Sequence, residues 1–254
     1  MLLKMRIFQF IKRAIIFIGR FWIGLKIGIL FRGTTHFEIP SKFKIHRKWV
    51  SYVTPCDLGN ASDFINLVLD DEYGLRVIPE SPRTILDIGA NCGLFSLMAS
   101  HQFPEAMIHA YEPNPRVFEF AVRNFESTLV QVFCLGVGAK EGRAQMTENS
   151  DSTLVQTVFG GEGSIVIQSL DQALAQFPGH SIDLLKMDCE GAEWEIFKNP
   201  APFKKIKRIR MEYHLIEGRT VEDFIQQVTL LDYRIERLIK NQGFGLAWLV
   251  RKGG

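Results

Sequence analysis

The stretch Arg83 to Ser96, RTILDIGANCGLFS, constrains this chain more than any other. Ile85, Leu86 and Ile88 form a short apolar run, the pattern of a strand buried on both faces. Gly89, Ala90, Asn91, Cys92 and Gly93 follow, and then Leu94, Phe95, Leu97 and Met98 recur with helical spacing. This reads as strand, tight glycine turn and helix. Glycines let the backbone turn sharply and approach a ligand closely, and the unpaired N–H groups of the new helix point into the same space.

A dinucleotide is the first ligand to test against such a turn. Its fingerprint wants G-x-G-x-x-G, and here Asn91 and Leu94 stand where the second and third glycines belong. The pattern present, D-x-G-x-x-x-G from Asp87 to Gly93, looks like the first motif of the S-adenosylmethionine methyltransferases. That nucleoside carries no pyrophosphate, so no second glycine is needed, and an acid beside the turn can answer its cationic amino acid end directly or through water.

At 254 residues, one large domain with an appendage is expected. Apolar residues at 46% and charged residues at 23% suit a chain that buries a full core, and a net charge of +2 makes it no polycation. The four cysteines, Cys56, Cys92, Cys134 and Cys189, are scattered without a C-x-x-C pair. They read as reduced thiols of a cytoplasmic protein rather than a disulfide frame or zinc site.

Residues 1–37 stand apart. Lys4, Arg6, Lys12, Arg13, Arg20, Lys26 and Arg32 are interleaved with Ile, Phe, Leu and Trp22, and no acid appears before Glu38. A span over 11–31 gains about 0.3–0.6 kcal/mol from each apolar residue, but Arg20 and Lys26 inside it cost up to about 3 kcal/mol each. A helix lying in the interface keeps the apolar gain and adds attraction to anionic lipid. The expectation is a helix at the inner face of a membrane, with packing on the domain or a subunit partner as its rival.

Residues 38–82 form a cap region before the domain proper at 83–254. One or two short strands are expected around Phe43 to Val53, a turn at Asp57-Leu-Gly-Asn60, and a helix capped by Ser62 that ends at the acidic run Asp70-Asp71-Glu72. Asp63 and Tyr73 can face the cleft, against the plainer and preferred reading of a surface acid and a half-buried ring. Beyond Arg83, strands and helices alternate. Met107–Tyr111 is the second strand, with Glu112 at the C-terminal tip where parallel sheets bind ligands. There Glu112 can accept both hydroxyls of a ribose. Asn114 and Pro115 open the next helix. Val130–Leu135 is the third strand, and the glycine-rich 139–168 is an insertion with short strands around Met146, Leu154, Val155, Val158 and Ile165–Ile167. Ser169 caps a short helix. Ile182–Met187 is the fourth strand, with Glu190, Glu193, Trp194 and Phe197 starting a helix, and Ile206–Glu212 is the fifth. Val221–Leu230 is a helix, and an antiparallel hairpin closes the chain.

Together ILDIGANCGLFS, YEPNP, LLKMDCEGAEWEIF and MEYH resemble the FkbM-type methyltransferase family, over roughly 57–250. The resemblance implies an α/β class I methyltransferase fold: a Rossmann-like, seven-stranded, mostly parallel sheet with helices on both faces and the last strand antiparallel. It implies S-adenosylmethionine as donor and O-methylation of a hydroxyl on a sugar, glycolipid or natural product. Asp87, Gly89, Asn91, Gly93 and Glu112 would hold the donor, with Ala90, Pro113, Asn114 and Gly136 beside them as further candidates. Lys186, Asp188, Glu190, Glu193 and His214 fall on the family's second cluster.

Methyl transfer to a hydroxyl needs alignment and a group to take the proton. Alignment supplies roughly 7–11 kcal/mol and a positioned base about 10²–10⁴-fold. His214 is the first choice of base, since imidazole titrates near 6.5. Asp188 can orient it, take the proton itself, or bind a divalent metal with Glu190. The plainer roles are helix capping for Asp188, a structural or solvated place for Glu193 and Glu195, and for Lys186 a salt bridge to Glu212 or Asp188. The partners expected are a small-molecule or glycan acceptor and an anionic membrane surface, with no nucleic acid. The rival classes are an NAD-dependent oxidoreductase, disfavoured by the missing glycines, and a catalytically silent membrane-associated module.

Overall fold

A computed structural model describes residues 2–35, 37–55, 58–146, 157–159 and 163–253. The chain opens with α1 (Leu2–Ile27), followed by the hairpin β1 (Lys42–Ile45) and β2 (Lys48–Ser51), and then α2 (Leu58–Phe64). The first unit of the main sheet is β3 (Thr84–Ile88) and α3 (Leu94–Gln102). After it come β4 (Met107–Tyr111), α4 (Pro115–Phe125) and β5 (Gln131–Phe133). The next segment contains β6 (Gly136–Gly138), β7 (Gly142–Met146), β8 (Thr157–Phe159), β9 (Ile165–Ser169) and α5 (Leu170–Ala175). The last part is β10 (Ile182–Met187), α6 (Glu193–Ile196), β11 (Ile206–His214), α7 (Val221–Leu230), β12 (Tyr233–Lys240) and β13 (Phe244–Arg251).

Seven strands form one sheet in the order β12-β13-β11-β10-β3-β4-β5. Neighbours from β11 to β5 are parallel, and β13 runs antiparallel to both β11 and β12. The chain winds outward from β3 in one direction and from β10 in the other. The tips of β3 and β10 therefore flank the crevice where an open α/β sheet takes its ligand. Alternation along the strands supplies both layers. Ile85 and Leu184 face a core shared with Phe43, Phe64 and Phe95, while Leu86, Ile88, Leu185 and Met187 face Leu174, Phe197 and Phe224.

Two expectations change. Leu58 to Asn60 is helical rather than a turn, so Ser62 lies inside α2 and caps nothing, and Asp57 lies outside the described residues. The helix runs on as a π-helical turn over Ile65–Leu69, because Phe64, Ile65, Val68 and Leu69 are buried and their packing outweighs the turn propensity of Gly59 and Asn60. The insertion builds a second sheet in the order β6-β9-β7-β8, with Gly136-Val-Gly138 as one of its strands. Leu154 and Val155 lie outside the described residues. Ser169 caps α5 through a capping box with Gln172, as expected. No helix among the described residues is long and apolar enough to cross a membrane.

Candidate functional site

The turn after β3 is tied to its neighbour strand. Gly89 and Ala90 both donate their N–H groups to the carbonyl of Tyr111, at 3.0 and 2.9 Å. Asn91 adopts φ 50° and donates its N–H to Glu112 at 2.8 Å, while the other Glu112 oxygen accepts from the Asn114 N–H at 2.8 Å. Burial pushes the Glu112 carboxyl up to about 7, with the Asn114 and Asn91 N–H groups pulling the other way. Asn114 in turn caps α4 at Arg116, with Pro115 opening the helix. Two of the candidate glycines, Gly93 in the turn and Gly136 in β6, serve packing. Gly93 holds φ 81°, and a Cβ there would lie 2.3 Å from the Phe125 ring. A Cβ on Gly136 would lie 2.4 Å from Ile167.

Asp87 does not reach the ligand side. It is fully buried, accepts a hydrogen bond from the Ser96 hydroxyl at 2.7 Å, and faces the Lys186 ammonium at 3.5 Å. An ammonium inside the sheet needs a counterion, and Asp87 is directly opposite it in register between β10 and β3. Lys186 also pairs with Asp188 at 3.7 Å and donates to the Gly89 carbonyl at 2.5 Å, and the expected alternative partner Glu212 makes no ion pair with it. Burial works against the Lys186 charge, but Asp87 and then Asp188 hold it, with the group pushed up to about 12. Lys186 thus fastens the glycine turn to β10. The fit is tight: a Cβ on Gly89 would lie 1.8 Å from the Asp188 carbonyl oxygen.

The second cluster gathers at the tips of β10 and β11. The helix expected from Glu190 starts only at Glu193, and Ala192 occupies its cap without a side-chain bond, so Asp188 is not a helix cap. Glu190 sits in the preceding turn at φ 54°, followed by Gly191 at φ 101°. Glu193 is fully buried. One of its oxygens accepts from the Gly191 N–H at 2.9 Å; the other accepts from the His214 N–H at 2.6 Å and faces His214 Nδ1 at 3.1 Å. Glu193 is the buttress of the ring, whereas Glu195 is a surface acid paired with Lys198. His214 Nε2 then faces Glu190 and Glu212, each at 3.4 Å. Burial opposes a charged imidazole, but the hydrogen bonds it donates to Glu193 and Glu212 push His214 up to about 11. It stands as an imidazolium, so its ordinary titration near 6.5 is not the one that operates here. Burial, and then Asp188, push Glu190 up to about 7. Asp188, Glu190 and His214 each bring one ligand atom within 4.8 Å of one another, a spacing that a divalent cation can bridge once it displaces the proton on His214 Nε2.

Between the clusters lies an open cleft of about 480 Å³. Gly89, Ala90, Asn91, Lys186 and Asp188 line it. Among the lining residues, Gly93, Glu112, Pro113, Asn114 and Gly136 are absent, and Glu190 and His214 connect to the cleft through Glu212. The cap region supplies the opposite wall with Tyr52, Asn60, Asp63, Glu72 and Tyr73, so of the two readings for Asp63 and Tyr73 the cleft-facing one holds and the plainer, preferred one does not. Burial, and then Asp63 and Glu212, push Glu72 up to about 8. Sequence reasoning missed Glu72; its one signal was the acidic run it belongs to. Its backbone is held from afar. The Trp248 indole donates to the Glu72 carbonyl at 2.8 Å, fills the place of a Cβ on Gly74, and lies between the guanidiniums of Arg210 and Arg237 at 4.7 and 4.6 Å. With Asp63, Asp188 and Glu212 in its walls, Glu72 beside them mostly protonated near neutral pH until a cation arrives, and the Lys186 charge already paired, the cleft suits a cation. A sulfonium with an ammonium tail fits that donor set.

Comparison with known proteins agrees. A model of the methyltransferase FkbM domain matches residues 87–246. The chain is 27% identical over 215 residues to methyltransferase sdnD of Sordaria araneosa, across 70% of this chain and 79% of that protein. It is 25% identical over 159 residues to Methyltransferase 1 of Beauveria bassiana, across 52% of this chain and 64% of that one. It is 26% identical over 184 residues to the 31-O-demethyl-FK506 methyltransferase FkbM of Streptomyces tacrolimicus, across 58% and 70%. The precorrin-6y C5,15-methyltransferase structure from Geobacter metallireducens aligns with a TM-score of 0.48 at 13% identity, over 80% of this chain and 94% of that one. The glycine turn, the seven-stranded sheet and a family match over more than half the chain lead to one conclusion: this protein belongs to the FkbM-domain methyltransferases and is an S-adenosylmethionine-dependent methyltransferase.

Proposed function

We propose that the chain methylates the oxygen of a neutral hydroxyl on a small molecule, sugar or glycolipid, in the cytoplasm or at the inner face of a membrane that residues 1–37 contact. The observation that carries this is the convergence of Asp188, Glu190 and Glu212 on one side of the cleft, around an imidazolium with no proton capacity left. When bound, the donor supplies an electrophilic methyl on a sulfonium, which leaves as a neutral thioether. Gly89, Ala90 and Asn91 present the backbone against which it lies, and Glu112 is the candidate for the ribose hydroxyls. Lys186 is a positioning residue, since its contacts with Asp87, Asp188 and the carbonyls of Ile88 and Gly89 hold the glycine turn and Asp188 in one geometry.

The acceptor's proton goes to Asp188 or Glu190, and His214 keeps those carboxylates in place. The acidic walls repel phosphates, which argues against nucleic acid as acceptor. A relative's name, 31-O-demethyl-FK506 methyltransferase, supports an oxygen of a natural product as the kind of acceptor. The ligand spacing of Asp188, Glu190 and His214 supports a second version, in which a hard divalent cation would take the place of the His214 Nε2 proton and would hold the hydroxyl, with Glu193 fixing the ring from behind.

The test is transfer of labelled methyl to a panel of neutral and anionic hydroxyl compounds, with and without a chelator. Neutral acceptors should be labelled. Exclusive labelling of anionic or nucleic-acid acceptors overturns the reading, and loss of transfer on chelation, restored by Mg²⁺ or Mn²⁺, selects the metal version.

A further inference from the structure

The outward face of α1 is the largest feature that methyl transfer does not use. Phe8, Ile11, Ile15, Ile18, Trp22 and Leu25 repeat at alternating steps of three and four, so they fall along one line of the helix. All are exposed, Phe8, Ile15 and Trp22 by 69%, 65% and 60%. The opposite line is held by the domain. Arg20 forms a two-point ion pair with Asp70 at 2.9 and 2.5 Å, and its guanidinium lies 6.0 Å from the Phe31 ring centre. Ile23 and Ile27 pack on Phe31, Ile65 and Leu69. Helix α1 is therefore fixed in rotation, with its apolar line turned away.

A steps-of-three-and-four seam also suits a second helix, but the charges choose otherwise. Helix α1 contains no acid, so a second copy would set Lys12 and Lys26 against like charges with nothing to pair them. Exposed apolar residues also continue to one side of the seam, at Ile7 and Phe10, where a helical partner would leave them in water and a lipid surface would not. The helix does not qualify as a span.

We infer that α1 docks on an anionic lipid surface by its Phe8 to Leu25 face, with Lys12 and Lys26 in the headgroup layer. This deepens the membrane contact proposed above for residues 1–37 and does not depend on the methyl-transfer reading. Docking also places the cleft. One segment, Leu58 to Leu69, separates the two: Ile65 and Leu69 face the neighbours of α1, and Asn60, Asp63 and Leu67 line the cleft. A helix is about 10–12 Å across, so the methyl-donor cleft sits about that far from the anchor.

The experiment is flotation of the full chain with phosphatidylglycerol or phosphatidylcholine vesicles at low and high salt, alongside calorimetry of S-adenosylmethionine binding and sedimentation. The chain should float with phosphatidylglycerol, be released in part by salt, and ignore phosphatidylcholine. Ile15→Asp with Trp22→Asp should abolish flotation while donor affinity stays unchanged, and Lys12→Gln and Lys26→Gln should each weaken it about fivefold. A chain that binds donor but does not float overturns the inference. So does a dimer in sedimentation that Ile15→Asp converts to monomer, which would assign the face to a second copy. Loss of donor binding with flotation intact would instead strike the methyl-transfer reading.

Discussion

The two carboxylate groups at the strand tips look alike in composition and differ in what they have left over. At β3 and β4, Asp87 is matched to Lys186 and Ser96, and each Glu112 oxygen accepts one backbone N–H. At β10 and β11, Glu190, Glu193 and Glu212 surround a single imidazolium, with Asp188 beside them. The first group is balanced and fixes a backbone shape. The second carries surplus negative charge at the edge of the cleft, which is what proton transfer or cation binding requires. A class I sheet can thus separate holding a donor from handling a proton by the stoichiometry of its ion pairs.

The strongest way to break this division is at Asp188. Asp188→Asn should lower turnover by about 10²–10⁴-fold and leave donor affinity by calorimetry within a few-fold. A parallel collapse of affinity would merge the two groups into one. On the balanced side, Lys186→Met strands the Asp87 carboxylate in the core, and urea melts should record a loss of about 3–5 kcal/mol. Asp87→Leu added to Lys186→Met should recover most of it; failure to recover would mean that the pair is not what stabilises the sheet centre.

Glu193→Gln keeps the shape of the buttress but weakens its hold on His214, and should reduce turnover about 10–100-fold with the fold intact. Wild-type turnover in this variant would show that the ring needs no support from behind. The smallest effect concerns Glu112. In the unfolded chain this carboxyl titrates at its ordinary 4.5, and in the folded chain at about 7. The folded state binds the extra proton, so its contribution to stability is full below 4.5 and falls as pH rises to about 7. Glu112→Gln should flatten that part of the stability–pH curve, and an unchanged slope would place the titration elsewhere.

Much of this was legible in the linear chain because it is local. The run Ile85 to Leu94 encodes strand, turn and helix within a dozen positions, and Asn114-Pro115 encodes its own cap. Asp188 was legible as a tip because it ends an apolar run, and His214 because it ends an alternating stretch with Ile209, Met211 and Tyr213 on one side. The roles that changed are set by partners distant in sequence. Asp87 turns inward because Lys186 lies beside it, across a gap that no local pattern encodes. His214 is an imidazolium because Glu193, from another element, bonds its backbone and its ring together. Leu58 to Asn60 bends to helix because Phe64 and Val68 have a core to enter.

The hydrogen bond from Trp248 to the Glu72 carbonyl joins residues 176 positions apart. During synthesis, the strands β3, β4, β5 and β10 emerge well before Trp248, and domains begin to fold as they emerge. The cap wall of the cleft has to wait for Trp248 of β13. A nascent chain stalled before that strand would carry the glycine turn and Asp188 without the prop for Glu72, so the cleft closes only once β13 has emerged. Methyl-donor binding is in that sense a report that β13 has joined the sheet.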